Sequence, residues 1–310
     1  ACILVALGTT LSSFWILANN SWMQVPVGHA IDATGKIVPK DWREIIGGHV
    51  FITRWLHMLL GAYLTTATVV SATGAWYLLK GVHQTTAKAM LVWGMALMAT
   101  FTPVQIGLGH LAGEIIRDYQ PGKFAAVEGR WESGKRAPLI VVAWPDNKAA
   151  KNSFEISIPV LGSIVDSGNP DSYQRGIRDV PADERPPFLV PFYGFRIMFG
   201  MGILMLFIGW YGSWRNYRRS IERARWFLRL TAISFPIGWI AVMAGWYTAE
   251  VGRQPWVVTG LLRTSDAVTP SLTLSHAIIS LSLYVLVYLI VYGFGVRYLW
   301  NLFRQGPSDT

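Results

Sequence analysis

A series of long apolar runs is the feature that most constrains what this chain can fold into. Runs of about 20 apolar residues are longer than a soluble core helix needs and long enough to cross a bilayer. Only 15% of the 310 residues are charged, whereas a soluble domain usually carries about a quarter. The mean hydropathy is +0.34, and the single cysteine, Cys2, cannot form an internal disulfide. The sequence therefore predicts an all-α integral membrane protein and excludes a soluble enzyme, a disordered chain and a disulfide-stapled secreted domain.

Six of these runs are long enough to be membrane-spanning helices. We predict them at residues 1–23, 51–79, 87–113, 189–213, 226–249 and 271–300. The chain then divides into three helices in 1–113, a long polar segment at 114–188 and three further helices in 189–310. The polar segment is rich in charge and proline, which predicts a lobe outside the membrane, mostly loop with short strands or helices.

The orientation in the membrane follows from the positive charges of the short loops. The turn 214–225 carries five arginines and one acid, and further lysines and arginines lie at 80–88 and near the C-terminal end. Lys and Arg concentrate in cytoplasmic loops, so we place these regions in the cytoplasm. The loops 24–50, 114–188 and 250–270 then face the periplasm. The same arginines explain the net charge of +9 without a nucleic-acid partner.

Two side chains of types that bind haem iron lie near the outer ends of separate spans. His57 is in the second span and Met198 is in the fourth, and both spans run inward from the outer side. At 1.5 Å rise per residue, both lie within about two to three turns of that boundary. A histidine and a methionine form a known axial pair for six-coordinate haem. A histidine bonded to a neighbouring helix and a methionine that only fills space are the structural alternatives. Arg54 and Arg196 lie nearby and are of the type that neutralises haem propionates.

A second polar cluster lies at the outer end of the fifth span. Glu250 and Arg253 are three residues apart and form an ion pair if the helix continues that far. The alternative is an interfacial anchor, with Trp246 in an aromatic belt and a surface ion pair beside it. His276 and His110 lie at the same level and stay open as haem ligands. These residues predict a membrane redox protein with haem near its outer face.

The blocks around these residues resemble subunit I of the cytochrome bd-type quinol oxidases. The most specific block is Gly-Arg-Gln-Pro-Trp at 252–256, and further blocks lie at 195–198, 19–24 and 120–128. The similarity covers essentially the whole chain. The segment 114–188 would be the family's quinol-binding loop, and its short length resembles the cyanide-insensitive branch.

The resemblance implies roles at the electron-entry side. His57 and Met198 would be the axial ligands of a low-spin haem b, and Arg196 would stabilise its reduced form. Lys123 and Glu128 match the lysine and glutamate, five residues apart, of the family's quinol-binding loop. A solvated loop pair is the structural alternative for these two residues.

The resemblance also implies roles at the oxygen site. Glu250 would be a carboxylate ligand to the iron of a high-spin haem b, and Trp246 would lie between the haems. Arg253 would help to hold the propionates. The third cofactor would be a haem d or a second high-spin haem b.

As a whole, the resemblance implies a terminal oxidase of a bacterial cytoplasmic (inner) membrane. It would oxidise ubiquinol or menaquinol at the outer side, reduce O2 to water and generate a membrane potential. Subunit II is the expected partner, with a small single-helix subunit as a further candidate. The family has nine helices, three of them before the helix that starts at Ala1. We therefore expect an N-terminally truncated chain that is inactive by itself.

Two other functions fit parts of the pattern. A di-haem b-type electron carrier without oxygen chemistry would use His57, His110 and His276, but the chain lacks histidines paired about 13–14 residues apart within a helix. A transporter would carry charges at the membrane midplane or broken helices. The ionisable residues instead collect at one edge of the spans, which disfavours a transporter.

Overall fold

The computed structural model describes residues 2–146 and 149–307. The first residue of the predicted first span, two residues of the predicted polar segment and the last three residues of the chain lie outside this range. The helices are α1 (Cys2–Gln24), α2 (Trp42–Gly47), α3 (His49–Lys80), α4 (Gln84–Tyr119), α5 (Pro121–Glu128), α6 (Leu161–Ser167), α7 (Leu189–Tyr217), α8 (Arg225–Ile233), α9 (Ile237–Val251) and α10 (Leu274–Gln305).

Short antiparallel strand pairs lie between the helices. They are β1 (His29–Ile31) with β2 (Ile37–Pro39), β3 (Gly134–Lys135) with β6 (Tyr173–Gln174), β4 (Leu139–Asp146) with β5 (Lys151–Ile158), and β7 (Trp256–Val258) with β8 (Leu262–Arg263). In the pair β4–β5, Leu139 lies opposite Ile158 and Asp146 lies opposite Lys151. The short strands and helices predicted within 114–188 are present, but together they cover more than half of the segment, so the prediction that it is mostly loop is wrong.

The predicted spans correspond to apolar helices in the structure. Within the described residues, five helical stretches are long and apolar enough to span a membrane: α1, α2 with α3, α4, α7 and α10. The predicted fifth span is divided into α8 and α9, which meet at a bend of 42° and count as a sixth span if taken together. Pro236 lies at this break. Proline has no N–H to donate within a helix and disfavours helical geometry in the preceding residue, which explains the bend.

The core of the bundle lies between α3, α4, α7, α8 and α9. Its large buried side chains are apolar and come from several helices; among them are Leu64, Leu91, Met95, Met98, Ile208 and Phe227. Small residues let the backbones approach, as is common for helices packed in lipid. At Gly94 of α4, an added Cβ would lie 2.7 Å from the carbonyl oxygen of Ala67 in α3. By contrast, none of the residues of α10, all of which are described, is buried.

The loops predicted to face the periplasm contact one another. The backbone N–H of Thr259 donates to the carbonyl oxygen of Met23 at 3.0 Å. Arg263 Nη2 lies 2.7 Å from Asp183 Oδ2. These contacts join the ends of α1, the polar segment and the segment after α9, and we call this side of the bundle the loop-rich end. That these loops face the periplasm stays a prediction.

The regions predicted to be cytoplasmic meet at the opposite end. Lys88 Nζ lies 2.7 Å from Glu222 Oε1, which links the start of α4 to the basic turn before α8. The hydroxyl of Tyr77 donates to the carbonyl oxygen of Phe303 at 2.7 Å, which links α3 to the end of α10. The two ends therefore differ as the charge pattern predicted.

The close approach at Gly94 gives a test of this packing. In Gly94→Val the new side chain would collide with Ala67 and Ser71, whose Cβ also lies 2.7 Å from the added atom. We expect α3 and α4 to separate and the free energy of unfolding to fall by about 1–3 kcal/mol. Thermal unfolding in detergent measures the loss. Gly107→Val is the matched control in the same helix, since an added Cβ there meets no atom within 4 Å. Equal unfolding temperatures for the two variants would contradict this packing.

Candidate functional site

His57 lies on the face of α3 that packs against α4. Its Nε2 is 3.3 Å from the side-chain nitrogen of Gln105. Its Nδ1 is buried and has no hydrogen-bond partner among the described residues. An added Cβ at Gly109, one turn beyond Gln105, would lie 3.3 Å from His57 Cε1. Only one of the two ring nitrogens therefore has a hydrogen-bond partner on the neighbouring helix, and a glycine of that helix lies beside the ring.

Met198 lies on α7 and points towards α9. An added Cβ at Gly245 of α9 would lie 2.7 Å from the sulfur atom of Met198. Gly61 follows His57 by one turn on α3, and Val242 precedes Gly245 by about one turn on α9. An added Cβ at Gly61 would lie 3.8 Å from a methyl group of Val242. The same part of α9 thus contacts the helix of the histidine and the side chain of the methionine.

The residues present fit a haem at this junction. One nitrogen and one thioether sulfur are suitable axial donors for haem iron. A buried ring nitrogen of His57 has no partner among the described residues, and glycines lie beside both candidate ligands. Ligation of one iron by both residues stays a prediction.

Arg196 binds backbone carbonyl oxygens, a structural role that was not predicted from the sequence. Its guanidinium donates to the backbone carbonyl oxygens of Val127 at 2.8 Å, Phe192 at 2.9 Å and Val141 at 3.0 Å, and also to that of Ile140. It lies 3.4 Å from the centroid of the Phe192 ring. Arg196 therefore fastens the end of α5 and the strand β4 to α7. Its predicted effect on a reduced haem is not tested by these contacts.

The predicted ion pair at the end of α9 is present. Arg253 Nη2 lies 2.6 Å from Glu250 Oε2, and the side chains are 9% and 22% exposed. Asn20 of α1 donates to Glu250 Oε1 at 2.8 Å, and Arg54 of α3 donates to Asn20 Oδ1 at 2.6 Å. Arg253 Nε and Nη1 are buried without a partner among the described residues, so the alternative of a surface ion pair is wrong. Trp246 is exposed, with its ring centroid 5.4 Å from that of Tyr247.

Lys123 is buried beside this cluster, although it lies in the polar segment. Its Nζ donates to Gln24 Oε1 at 2.9 Å, to the carbonyl oxygen of Ala249 at 3.0 Å and to Gln120 Oε1 at 3.4 Å. Burial lowers the pKa of Lys123 well below its usual value, and the charge of Arg54 lowers it further. The alternative of a solvated loop lysine is therefore wrong.

Glu128 is buried at the other end of α5. Five positions correspond to about 140° around a helix, so Lys123 and Glu128 lie on different faces. Burial, and next the charge of Asp166, raise the pKa of Glu128 to about 7, while Arg130 and Arg196 act in the opposite direction. The structure therefore separates the two predicted quinol-binding residues into different polar surroundings.

The turn after Glu128 depends on a glycine. Gly129 ends α5 with a φ of +79°, and an added Cβ would lie 2.5 Å from the Phe192 ring. Only glycine fits both the left-handed backbone and this contact. Arg130 follows this turn, two residues after Glu128, and its Nη2 lies 3.0 Å from Asp166 Oδ2.

Comparison with known proteins identifies the family. The family described as cytochrome bd terminal oxidase subunit I matches residues 1–307. The chain belongs to this family. The resemblance found in the sequence is thereby confirmed.

Matches to individual relatives cover most of this chain, which spans about two thirds of the length of each relative. Cytochrome bd ubiquinol oxidase subunit 1 of Bacillus subtilis (strain 168) is 34% identical, over 94% of this chain and 64% of the relative. Cytochrome bd-II ubiquinol oxidase subunit 1 of Escherichia coli (strain K12) is 28% identical, over 98% and 72%. The solved structure of the bd oxidase from Geobacillus thermodenitrificans matches with a TM-score of 0.88 and 31% identity, over 98% of this chain and 69% of that one.

The remaining histidine candidates of this bd-family chain, His110 and His276, are more exposed than His57. His110 is half exposed and lies 3.9 Å from Glu114 of its own helix. His276 is exposed on α10. A role for either of them as a haem ligand therefore stays a prediction.

Several residues of the site were missed by the sequence analysis. Asn20, Gln24 and Gln120 lie in the family-like blocks, but they received no role. Arg130 and Asp166 carried no local signal, because they are 36 positions apart and an isolated charge in a polar segment is usually solvated. Only the fold brings these two side chains together.

The hydrogen bonds of Gln24 are expected to stabilise the loop-rich end. Gln24 is fully buried, and Gln24→Leu removes the oxygen that accepts from both Lys123 and Gln120. Leaving buried donors unpaired costs about 1–3 kcal/mol, which thermal unfolding in detergent would detect. Gln84→Leu is the control, because Gln84 is exposed. Unchanged stability of Gln24→Leu would show that this network contributes nothing.

Proposed function

We propose that this chain is the haem- and quinol-binding part of a terminal oxidase in a bacterial cytoplasmic membrane. The oxidase takes electrons from ubiquinol or menaquinol at the loop-rich end and passes them to O2, which is reduced to water. The observation that carries the proposal is the concentration of haem-type donors and buried ionisable groups at this one end: His57, Met198, Glu250, Arg253, Lys123 and Glu128. Family membership supports the same activity.

His57 and Met198 would hold a low-spin haem b through a ring nitrogen and a thioether sulfur. Glu250 would hold a high-spin haem b through its carboxylate, and the third cofactor would be a haem d or a second high-spin haem b. When bound, these groups supply one-electron transfer and the reduction of O2. The unpartnered Nε and Nη1 of Arg253 suit a propionate carboxylate, since guanidinium donors bind carboxylates well.

The exposed ring of Trp246 lies four residues before Glu250 on α9 and is the proposed residue between the haems. Its exposure supports a position towards a neighbouring group rather than within the bundle core. Glu250 and Trp246 are therefore the proposed catalytic residues at the oxygen site.

Glu128 is the proposed proton acceptor for quinol. Oxidation of a quinol releases two electrons and two protons, so a group that can exchange protons near neutral pH is needed beside it. A buried carboxyl with a pKa of about 7 meets this requirement. Lys123 is the proposed second quinol-binding residue. Its longest hydrogen bond, 3.4 Å to Gln120, is the one most readily exchanged for a quinol oxygen.

The proposed reaction generates a membrane potential if the protons used to make water come from the cytoplasmic side. Each charge moved against 100 mV stores about 2.3 kcal/mol. Subunit II is the proposed partner, with a small single-helix subunit as a further one. The unburied surface of α10, all of whose residues are described, is consistent with contacts to lipid or to another subunit.

The ligand assignment is tested by visible spectra of the membrane enzyme purified in detergent. We expect His57→Ala and Met198→Leu each to abolish the low-spin haem b signal and quinol oxidation, because each removes one axial donor. His276→Ala and Met243→Leu are the matched controls, since both residues are exposed. Loss of a low-spin signal in His276→Ala would instead support the di-haem electron carrier.

The role of Glu128 is tested by the pH dependence of kcat/KM for quinol. The ionised carboxylate is the form that accepts a proton, so the rate should rise as pH increases through about 7. In Glu128→Gln we expect the rate to fall about a hundredfold and this acidic limb to disappear. Glu155→Gln, at an exposed position in the same segment, should keep both. A Glu128→Gln enzyme with an unchanged profile would exclude this residue as the proton acceptor.

A further inference from the structure

A buried ion pair includes Arg130, two residues after Glu128, and takes no part in the function proposed above. Arg130 Nη2 is 3.0 Å from Asp166 Oδ2, and the two side chains are 5% and 4% exposed. Replacing such a pair by apolar residues is often neutral or stabilising, so its contribution to stability is a weak explanation for its presence. Arg130 is close in the chain to a proposed proton acceptor, which favours an electrostatic explanation for the pair.

The backbone around both residues is firmly held. The N–H of Arg130 donates to the carbonyl oxygen of Ala125 at 2.8 Å, and the N–H of Ile177 donates to that of Arg130 at 3.0 Å. Asp166 belongs to α6, and Arg117 of α4 donates to its backbone carbonyl oxygen. The pair therefore cannot move far relative to Glu128.

The charge of Arg130 is only partly compensated. Its Nη2 is bonded to Asp166, but Nε and Nη1 are buried without a hydrogen-bond partner among the described residues. A buried charge acts over a longer distance than one in water, because the surrounding medium screens it less. Arg130 and Asp166 therefore act together on the carboxyl of Glu128, two residues from Arg130.

The other charged groups around these residues are few. Glu128 is faced by Asp166, Arg130 and Arg196. Asp166 is itself faced by Arg130, Arg117 and His110, and burial raises its pKa. Arg196 is held by backbone carbonyl oxygens, so the pair Arg130–Asp166 is the part of this surrounding that combines opposite charges.

We propose that Arg130 and Asp166 are positioning residues that control the protonation of Glu128 during quinol oxidation. Asp166 holds the guanidinium of Arg130 in place, and the two groups act on Glu128 with opposite sign. The inference rests on the proposed role of Glu128 as proton acceptor. Both residues of the pair are proposed to act through Glu128.

The two single substitutions should have opposite effects. In Asp166→Asn a negative charge is lost, the remaining cation favours the Glu128 carboxylate, and the acidic limb of the kcat/KM profile should move to lower pH. In Arg130→Gln the cation is lost, and the limb should move to higher pH. A charge within about 4–6 Å shifts the pKa of a carboxyl by about 1–3 units, and for these two charges we expect each limb to move by about one pH unit.

The experiment uses the intact membrane enzyme and ubiquinol, with infrared difference spectra of the protonated carboxyl as a second readout. Glu128→Gln assigns the infrared band. Arg130→Lys keeps the positive charge and should keep the limb close to its original pH. Asp171→Asn is the matched control, because Asp171 is exposed and its partner Arg136 is 3.7 Å away at the surface. The limb of this control should not move.

A double variant keeps the test valid if a single substitution prevents folding. Arg130→Met with Asp166→Leu removes both charges together, and an apolar replacement of a buried pair is usually tolerated. Since the two effects oppose each other, its limb should lie between those of the two single variants.

Shifts in the same direction, or no shift of limb or infrared band, would overturn the positioning role. The proposed function would survive that result if Glu128→Gln still abolished the limb. If Glu128→Gln kept the limb, the proposed function of Glu128 would fail first, and the positioning role with it.

Discussion

The buried ammonium group of Lys123 is the interaction on which the loop-rich end depends. A charge removed from water and left unpaired costs several kcal/mol, so its donors must all find oxygens. These come from three places: Gln24 at the end of α1, Ala249 near the end of α9 and Gln120 between α4 and α5. Satisfying one side chain therefore fixes the relative positions of three helix ends. Those ends also carry Asn20 and Glu250, so the cluster at the proposed oxygen site is built on the same requirement.

Two glycines allow close packing in the neighbouring region, where the proposed haem ligands lie. Gly109 lies against the ring of His57, and Gly245 lies against the sulfur of Met198. Larger residues at these positions would occupy the space beside each candidate donor. The polar network thus holds the helix ends, and the absence of side chains at a few positions leaves room between the helices.

Much of the fold could be predicted from the sequence, because hydropathy and the loop charges depend on local composition. The break between α8 and α9 was not predicted, since the apolar run continues through Pro236 and hydropathy does not register a lost N–H. The end of the third predicted span was also placed too early. His110, Glu114 and Arg117 lower the hydropathy there, but α4 continues to Tyr119, and Arg117 in this stretch donates to the carbonyl oxygen of Asp166 in the polar segment.

The candidate site was predictable only in part. His57, Met198 and the pair of Glu250 with Arg253 stand out because polar or sulfur-containing groups near a span end carry a physical meaning by themselves. The burial of Lys123 does not follow from its polar surroundings in the sequence. It results from oxygens supplied by distant parts of the chain.

Arg196 has a consequence for biosynthesis. Its partners on α5 and β4 precede it by 55 to 69 positions, and it lies on a helix that reaches the membrane after them. Chains are made from the N-terminus onwards, so these carbonyl groups leave the ribosome well before their donor. These carbonyl oxygens must therefore stay bonded to water until α7 is made. The strands of the polar segment can pair with one another earlier, but the attachment of α5 and β4 to α7 is a late event in assembly.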